Sequence, residues 1–456
     1  MTEIQIRVQL PDQVGSIEQL EAVIDAKGQQ IKQQLFEHQL ASLIQRQKPV
    51  AEDIACPECK KRAIFKGYQQ RQLKTKFGPT FFALPRLKCQ PCGRLFQLNS
   101  GCLADLKALA EANISPGLKQ VAIHCAAAWP YRQAQQSIQR LIGVSISHEQ
   151  IRQLCLQEAT KVEVQEQADF QQAYEQALAE TVEVLVEKQQ RSKKPPQIRP
   201  SERVYLGIDG TLVNARAQNR FMEAKVGIVF SHQLALVGTN RPQLLNKQSV
   251  GTLQSVQAFG QQLFTMARRM GIDNQEQLVI LSDGARWINK LAQTQYPKAT
   301  LILDWWHLKR RVWQTVRGLQ GDGLSVQDGP DWGRKWIDSL WRGQATEALK
   351  SIMILASQLG GAALDQPAQL AERSLPALHQ FISNNQAAII DYHRFQQAGY
   401  YIGSAVVEKA IDLLVCRRQK LRGQNWSRTG ADRLLCWRQL ILNDQWDHYW
   451  QQPQAA

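Results

Sequence analysis

Three apolar runs in the second half of the chain each end in an aspartate, and this pattern restricts the fold more than any other feature. The runs cover residues 204–209, 278–283 and 300–304. Short apolar runs separated by helical patterns are typical of core strands in an α/β sheet. A carboxylate at the end of such a strand is costly to desolvate unless a cation or hydrogen bonds meet it. The pattern therefore predicts a sheet with an acidic rim suited to Mg²⁺ or Mn²⁺.

The order of elements narrows the prediction to one fold. Strand patterns at 225–230 and 234–237 and a helical pattern at 253–270 lie between the first and second acidic runs. This order resembles the ribonuclease H-like fold, in which the first and fourth strands carry neighbouring metal-binding aspartates and a later helix supplies a third acid. Glu408 is the candidate for that acid, and Asp412, one turn further on, is its rival.

Two Cys-x-x-Cys pairs, Cys56 with Cys59 and Cys89 with Cys92, indicate a metal site in the first half. Each pair places two thiolates on one turn, and two such turns complete a four-thiolate shell for a structural zinc ion. The long gap between the pairs predicts an extended hairpin, with a strand over residues 80–84. Two unrelated pairs of buried cysteines remain the alternative.

A helical hairpin is predicted next. Residues 131–141 show a helical pattern, Gly143 marks a turn, and Ser147 with Gln150 forms a capping box for a second helix. The plan matches a helix-turn-helix, whose second helix enters the major groove of DNA, with Arg152 as a candidate contact. Any helical hairpin gives the same pattern, so a purely structural role stays open.

The charge of the chain points to a polyanionic partner. Lys and Arg number 55 against 40 Asp and Glu, a formal net charge of +15, which favours phosphates and is also found in ribosomal and membrane-surface proteins. A basic, proline-containing linker at 188–203 places Lys193 and Lys194 as candidate phosphate contacts. No apolar run reaches about 18 residues and no signal-peptide pattern occurs. We therefore expect a cytoplasmic, nucleoid-associated protein without a membrane partner.

Five short motifs carry a resemblance to a known group of enzymes. They are Asp209-Gly210-Thr211, Ser282-Asp283-Gly284-Ala285, Leu303-Asp304-Trp305-Trp306-His307, Gly403-Ser404-x-x-Val407-Glu408 and Arg422-Gly423-Gln424-Asn425-Trp426-Ser427. In this order they resemble DDE transposases of the Kra/Lre group of bacterial insertion sequences, which are distantly similar to the Mutator-like group. The resemblance spans residues 56–442, where Phe77-Gly78-Pro79 precedes the second cysteine pair. Ala405-Val406 departs from the smaller, glycine-containing sequence of relatives.

The resemblance implies a metal-dependent DNA transposase that cleaves the ends of its insertion sequence and joins them to target DNA. Asp209 would bridge two Mg²⁺ or Mn²⁺ ions, while Asp283 and Glu408 would each hold one. Ions about 3.5–4 Å apart can activate the attacking oxygen and stabilise the leaving one. Water would attack first and the freed 3′-hydroxyl second, without a covalent enzyme intermediate. Because two DNA ends must be paired, we expect at least a homodimer.

Basic and aromatic side chains near the acids are predicted to contact phosphates or to stack on unpaired bases. They are His307, Lys309, Arg310, Arg311, Arg417, Arg418 and Trp426, with Trp305 as a further stacking candidate. The role of Asp304 and His307 stays open between a hydrogen-bonded structural pair and a direct contact with phosphate or substrate.

The predicted architecture is multidomain α+β, with an N-terminal zinc ribbon and helix-turn-helix region and a C-terminal ribonuclease H-like α/β domain carrying an all-helical insertion. The predicted segments are an N-terminal helical segment 1–50, a zinc-ribbon-like domain 51–102, a helical DNA-binding region 103–187, the linker 188–203, the core 204–307, the insertion 308–401, the last core helices 402–445 and a tail 446–456. Two other functions stay open. One is a sequence-specific DNA-binding regulator derived from a transposase, and the other is a ribonuclease H-like nuclease.

Overall fold

The fold is known from a computed structural model and is mixed α+β. The structure describes residues 5–11, 15–46, 54–97, 106–107, 113–188, 203–216, 220–231, 234–237, 241–244, 247–270, 278–319, 324–325, 327–359 and 374–451. The chain divides into two compact units, Met1–Gln157 and Glu158–Ala456. Lys193 and Lys194 of the predicted linker lie outside the described residues, and the predicted domain boundaries remain predictions.

The first unit contains a helix and a long hairpin. Helix α1 covers Ile17–Arg46, and strands β1, β2 and β3 cover Ala63–Thr75, Gly78–Cys89 and Leu95–Gln97. β1 and β2 pair antiparallel from the turn at Gly78, whose φ of +115° favours glycine, down to the cysteines. The predicted extended hairpin is therefore confirmed, although β2 is longer than the expected 80–84.

Three helices follow in the order α2 (Pro116–Ala128), α3 (Tyr131–Ile142) and α4 (His148–Lys188). The predicted capping box is confirmed, because the N–H of Gln150 donates to the hydroxyl of Ser147 at 3.1 Å and the Gln150 side chain accepts from the Ser147 N–H at 3.3 Å. Gly143 ends α3 in the left-handed conformation at φ +69°. The helical hairpin is present, and its role in DNA binding remains a prediction.

The second unit is built on a five-stranded sheet. Its strands are β4 (Val204–Asn214), β5 (Phe221–Ser231), β8 (Lys247–Thr252), β9 (Leu278–Ser282) and β10 (Thr300–Leu303). Their order across the sheet is β10-β9-β4-β5-β8, with β10, β9 and β4 parallel and β5 and β8 antiparallel to their neighbours. Helices α5 (Val256–Arg269) and α6 (Arg286–Gln295) connect β8 to β9 and β9 to β10. Leu206, Phe259 and Ile280 belong to one core cluster of this unit.

The structure differs from the sequence predictions at two strands and one helix boundary, and its five-stranded sheet contains one strand that was not predicted. β4 does not end at Asp209 but continues to Asn214, because it pairs with β5 along its whole length. Residues 234–237 form strand β6 (Leu234–Val237), which pairs with β7 (Arg241–Leu244) outside the five-stranded sheet. The third antiparallel strand is β8, whose mixed polar sequence has no apolar run to indicate it. Helix α5 begins after Ser255, which caps it through the Ala258 N–H, rather than at residue 253.

The described residues that follow β10 are mainly helical. After β10 come α7 (Trp305–Leu319), α8 (Gly329–Trp341), α9 (Ala345–Gln358), α10 (Leu375–Asn384) and α11 (Tyr392–Gln397). The C-terminal helices are α12 (Ala405–Ile411), a π-helical turn (Asp412–Cys416), α13 (Arg417–Gln419), α14 (Arg428–Leu442) and α15 (Trp446–Gln451). Within the described ranges, no helix has both the length and the apolarity needed to cross a membrane.

Helix α12 approaches the sheet closely because two strand positions lack a side chain. A Cβ on Gly207 would lie 3.0 Å from the Cβ of Val407, and one on Gly251 would lie 2.6 Å from a methyl carbon of Leu414. Glycine therefore lets α12 and the following π-helical turn pack directly on β4 and β8.

Candidate active site and metal centre

The fold brings Asp209, Asp283 and Glu408 to one region of the sheet. β4 and β9 are parallel neighbours whose register pairs Ile208 with Ser282, so Asp209 and Asp283 occupy the next position on adjacent strands. Side chains alternate across a strand, so Asp209 shares a face with Gly207, against which Val407 packs. Helix α12 covers this face and carries Glu408 in its first turn.

The electrostatics of Asp209 show that the three acids interact. Burial and, after it, the negative charge of Asp283 raise the pKa of Asp209 to about 6, with a smaller contribution from Glu408. The N–H of Gly210, which donates to Asp209 Oδ1 at 2.6 Å, and the nearby His307 oppose this rise only in part. The cluster therefore holds more negative charge than its own donors compensate.

The carboxylate oxygens are spread rather than collected around one point. Asp209 and Asp283 are half-buried, and Glu408 is exposed. A ligand set for one metal ion would need one carboxylate oxygen from each acid, all within 4.8 Å of one another. Among the described residues, the three acids do not meet this condition. All-oxygen donors suit Mg²⁺ or Mn²⁺, and this arrangement does not collect one oxygen from each acid around a single ion.

The rival acid, Asp412, faces basic side chains instead. Its carboxylate lies 3.0 Å from Arg417 and 3.2 Å from Lys409, and these partners, Arg417 first, lower its pKa. Because both cations already pair with it on the surface, Glu408 is the better candidate for the third acid.

Asp304 is the most buried acid at the site, with 1% of its surface exposed. Its Oδ1 accepts from the backbone N–H of His307 at 2.7 Å, and its Oδ2 accepts from the backbone N–H of Ser404. Burial alone would raise the pKa of Asp304, but these hydrogen bonds and the His307 side chain outweigh it and lower the pKa to about 2. The carboxylate is therefore ionised, and it raises the pKa of His307, whose Nδ1 lies 3.3 Å away.

The predicted basic contacts on α7 differ in their surroundings. Arg310 is exposed, Lys309 lies with its ammonium 5.5 Å from the ring centre of Trp306, and the Arg311 guanidinium lies 4.5 Å from the ring centre of Phe381. Lys309 and Arg310 are thus available to phosphates on the helix that follows Asp304.

Three other side chains predicted to contact DNA are buried. Arg418 is 0% exposed and Trp426 8% exposed, and the two pack together with the guanidinium 5.1 Å from the ring centre. Trp305, at 5% exposed, is also in the core, where it packs on Tyr392. The protein encloses these three side chains, which disfavours the predicted contacts with DNA. Trp306 was not predicted, yet it is 62% exposed beside His307.

The remaining two basic candidates are engaged in ion pairs. Arg417 is exposed and paired with Asp412, while Arg152, in the first turn of α4, makes two hydrogen bonds to Glu149 at 2.6 and 2.8 Å. Surface pairs of this kind are weak, so a phosphate can replace the carboxylate.

Four cysteines of the first unit, Cys56, Cys59, Cys89 and Cys92, form a separate cluster. Their sulfur atoms all lie within 4.8 Å of one another, with Cys56 and Cys92 3.7 Å apart and Cys59 and Cys89 3.3 Å apart. Both separations are far longer than a disulfide bond and close to the roughly 3.8 Å between thiolates around one zinc ion. The four cysteines could therefore hold a structural zinc ion.

The backbone repeats the same turn at both ends of this cluster. The Cys56 N–H donates to Lys61 at 2.8 Å, and the Cys89 N–H donates to Arg94 at the same distance. Lys60 and Gly93 adopt positive φ at equivalent places. The N–H of Cys92 lowers the pKa of Cys89, but burial and the neighbouring thiols outweigh it and raise that pKa to about 12. Four thiols this close do not ionise together without a cation, which supports metal binding.

The sequence profile of an uncharacterised protein family, UPF0236, matches residues 12–438 and so includes both the cysteine cluster and the three acids. No curated protein matches the chain. The chain therefore belongs to the uncharacterised protein family UPF0236.

Proposed function

We propose that the chain is a metal-dependent DNA transposase of the DDE type, with Asp209, Asp283 and Glu408 as its catalytic acids. The observation that carries the proposal is that these three acids, which lie far apart in sequence, meet at one region of the sheet, where burial and then the charges of Asp283 and Glu408 raise the pKa of Asp209 to about 6. A half-buried carboxylate with a raised pKa beside two further acids is more typical of a functional site than of a structural one.

The topology of the sheet supports a ribonuclease H-like catalytic domain. Read from one edge, the strands follow the order β8-β5-β4-β9-β10, so the first strand of the unit is central, between the second and fourth strands of the sheet. The first acid lies on this central strand and the second lies directly after its parallel neighbour. This order agrees with the fold that the sequence resemblance implies.

The donor set suits two divalent cations, with Asp209 common to both and Asp283 and Glu408 each holding one. When bound, such ions would activate the attacking oxygen and stabilise the leaving oxygen of a phosphodiester. The chain itself would orient the DNA through Lys309 and Arg310, whose helix begins beside the acids. The four cysteines would hold zinc and stabilise the hairpin, without a part in the chemistry.

Metal-dependent joining of labelled element ends to a plasmid tests the proposal. The ends are found first, as inverted repeats bounded by short direct duplications in the DNA flanking the gene. The wild-type protein should cut and join these ends with Mg²⁺ or Mn²⁺, and Asp209→Asn should lower the rate by at least about 10²–10³-fold, as loss of a main electrostatic group does. Asp412→Asn is the matched control, since Asp412 pairs with surface cations.

Each outcome separates the competing functions. Cutting without joining would indicate a nuclease, and specific binding without either reaction would indicate a regulator. Joining that survives Asp209→Asn would refute the assignment of the acids. The proposal includes DNA as partner and an assembly of at least two copies, because two ends must be held together.

A further inference from the structure

We propose that Asp304 is a positioning residue that holds the helix carrying Glu408 in place over Asp209. The inference deepens the proposed function and rests on it. It assigns a role to the Asp304-x-x-His307 motif that the sequence left open between a structural pair and a direct contact.

Asp304 joins three elements of the site at one point. Its backbone N–H donates to Ser282 at 2.8 Å, directly before Asp283. One carboxylate oxygen accepts from the N–H of His307, three residues later, which is the geometry of an N-cap for α7. The other oxygen accepts from the N–H of Ser404, 100 residues further along the chain. The same side chain therefore connects the Asp283 strand, α7 and the start of α12.

Ser404 in turn sets the position of Glu408. The Ser404 carbonyl accepts from the N–H groups of Val407 at 2.9 Å and Glu408 at 3.0 Å, which form the first turn of α12. The hydroxyl of Ser404 makes no capping hydrogen bond of its own, so the contact from Asp304 is the side-chain contact that fixes this end of the helix. A carboxylate also stabilises a helix N-terminus through the helix dipole.

Neighbouring contacts also hold the segment before α12 close to the start of α7. The Trp305 N–H donates to Ile402 at 3.0 Å, which holds the same two segments together one residue further on. A Cβ on Gly403 would lie 3.0 Å from the Trp306 side chain, a tight contact that glycine avoids. Asp304 is a fully buried charge without contact to solvent, which agrees with positioning rather than with direct contact to DNA.

Asp304→Ser separates this role from simple capping. A serine hydroxyl can still accept from the His307 N–H, because serine is a good N-cap, but a single short side chain cannot also reach Ser404. Asp304→Asn is the second variant, since a carboxamide offers one acceptor where two N–H donors converge. Asp391→Asn is the matched control, because Asp391 caps α11 through the Arg394 N–H at 3.0 Å and that helix carries no catalytic acid.

The assay is Mn²⁺ binding to the full-length protein, followed by electron paramagnetic resonance with Mn²⁺ alone and no DNA. We expect two ions on the wild-type protein and about tenfold weaker binding of one of them in Asp304→Ser, as for loss of a group that orients a metal ligand. Glu408→Gln should weaken the same ion, and combining the two changes should cost no more than Glu408→Gln alone. Asp391→Asn should bind Mn²⁺ as the wild type does.

Mn²⁺ affinity within twofold of wild type in a folded Asp304→Ser protein would overturn the inference. Loss of folding in both Asp304 variants would also overturn it, since it would assign the residue to the stability of the whole unit. If the wild-type protein binds no Mn²⁺ at the three acids, the proposed function itself is wrong. This outcome is distinguishable from failure of the inference, because it is seen in the wild-type protein and not in the variants.

Discussion

Neutralising Asp209 should make the protein more stable in the absence of divalent cations while abolishing activity. Burial, with the charges of Asp283 and Glu408, raises the pKa of Asp209 from 3.8 to about 6 in the folded protein. At about 1.4 kcal/mol per pKa unit, this difference corresponds to about 3 kcal/mol of folding free energy lost at neutral pH. Solvent screening of a half-buried group reduces the figure, so we expect Asp209→Asn to stabilise by about 1–3 kcal/mol.

The pH dependence of this gain follows from the direction of the shift. A carboxyl group whose pKa is higher in the folded state destabilises wherever the unfolded state releases the proton, and this penalty grows from the unfolded pKa up to the folded pKa and is constant above it. The gain should therefore be complete above about pH 7, decline as the pH falls through about 6, and vanish below about pH 4. Asparagine keeps the acceptor for the Gly210 N–H, so loss of that hydrogen bond does not obscure the effect.

Urea unfolding followed by tryptophan fluorescence measures the effect. Eleven of the twelve tryptophans lie after Asp283, so the signal reports on the second unit. Asp412→Asn is the control, because the pKa of Asp412 is lowered and its neutralisation should not stabilise. Adding Mn²⁺ should reverse the order, since ligand binding stabilises only the protein that binds it. An Asp209→Asn protein less stable than wild type at pH 7.5, or equally stabilised at pH 4, would refute the reasoning.

Three further predictions concern the cysteine cluster, a strained turn and the exposed aromatic residue. Cys56→Ser should remove the single zinc ion expected per chain, measured by inductively coupled plasma mass spectrometry; full zinc retention would contradict the site. Gly284→Ala should destabilise by about 1–3 kcal/mol in urea unfolding, because φ is +89° and a Cβ would lie 2.8 Å from a leucine methyl. Gly399→Ala, at φ +77° with open space around it, should cost less, and equal costs would contradict the packing argument. Trp306→Ala should weaken binding to unpaired DNA ends by about 1–3 kcal/mol in fluorescence anisotropy and leave stability unchanged. Trp305→Ala should destabilise the protein by about 3–5 kcal/mol. Loss of stability in Trp306→Ala with loss of DNA binding in Trp305→Ala would show that Trp306 is the core residue and Trp305 the DNA contact.

The sequence was sufficient to predict the features that depend on local patterns. The capping box of α4, the long hairpin between the cysteine pairs and the acidic ends of β9 and β10 depend on short-range signals, and they are present as expected. β8 could not be predicted, because its mixed polar sequence becomes a strand only by pairing with β5. The apolar residues 234–237 form a strand as predicted, but this strand pairs with β7 outside the main sheet. An apolar run does not specify its partner strand.

The burial and the hydrogen bonds of the site side chains could not be predicted from the sequence. Trp305 and Trp306 are adjacent and chemically identical, and only the direction of α7 decides that the first is in the core and the second is exposed. The hydrogen bond between Asp304 and Ser404 spans 100 residues and leaves no periodic signal. The candidate acids could be named from the motifs, but the interaction that raises the pKa of Asp209 required the tertiary structure.

The most direct test of the central claim is anomalous scattering from Mn²⁺ in crystals of the protein. We expect two manganese peaks that share Asp209, one also bound by Asp283 and the other by Glu408. Absence of a peak at Asp209 in Mn²⁺-saturated crystals, or carboxylates directed away from one another around it, would show that the three acids do not form a metal site.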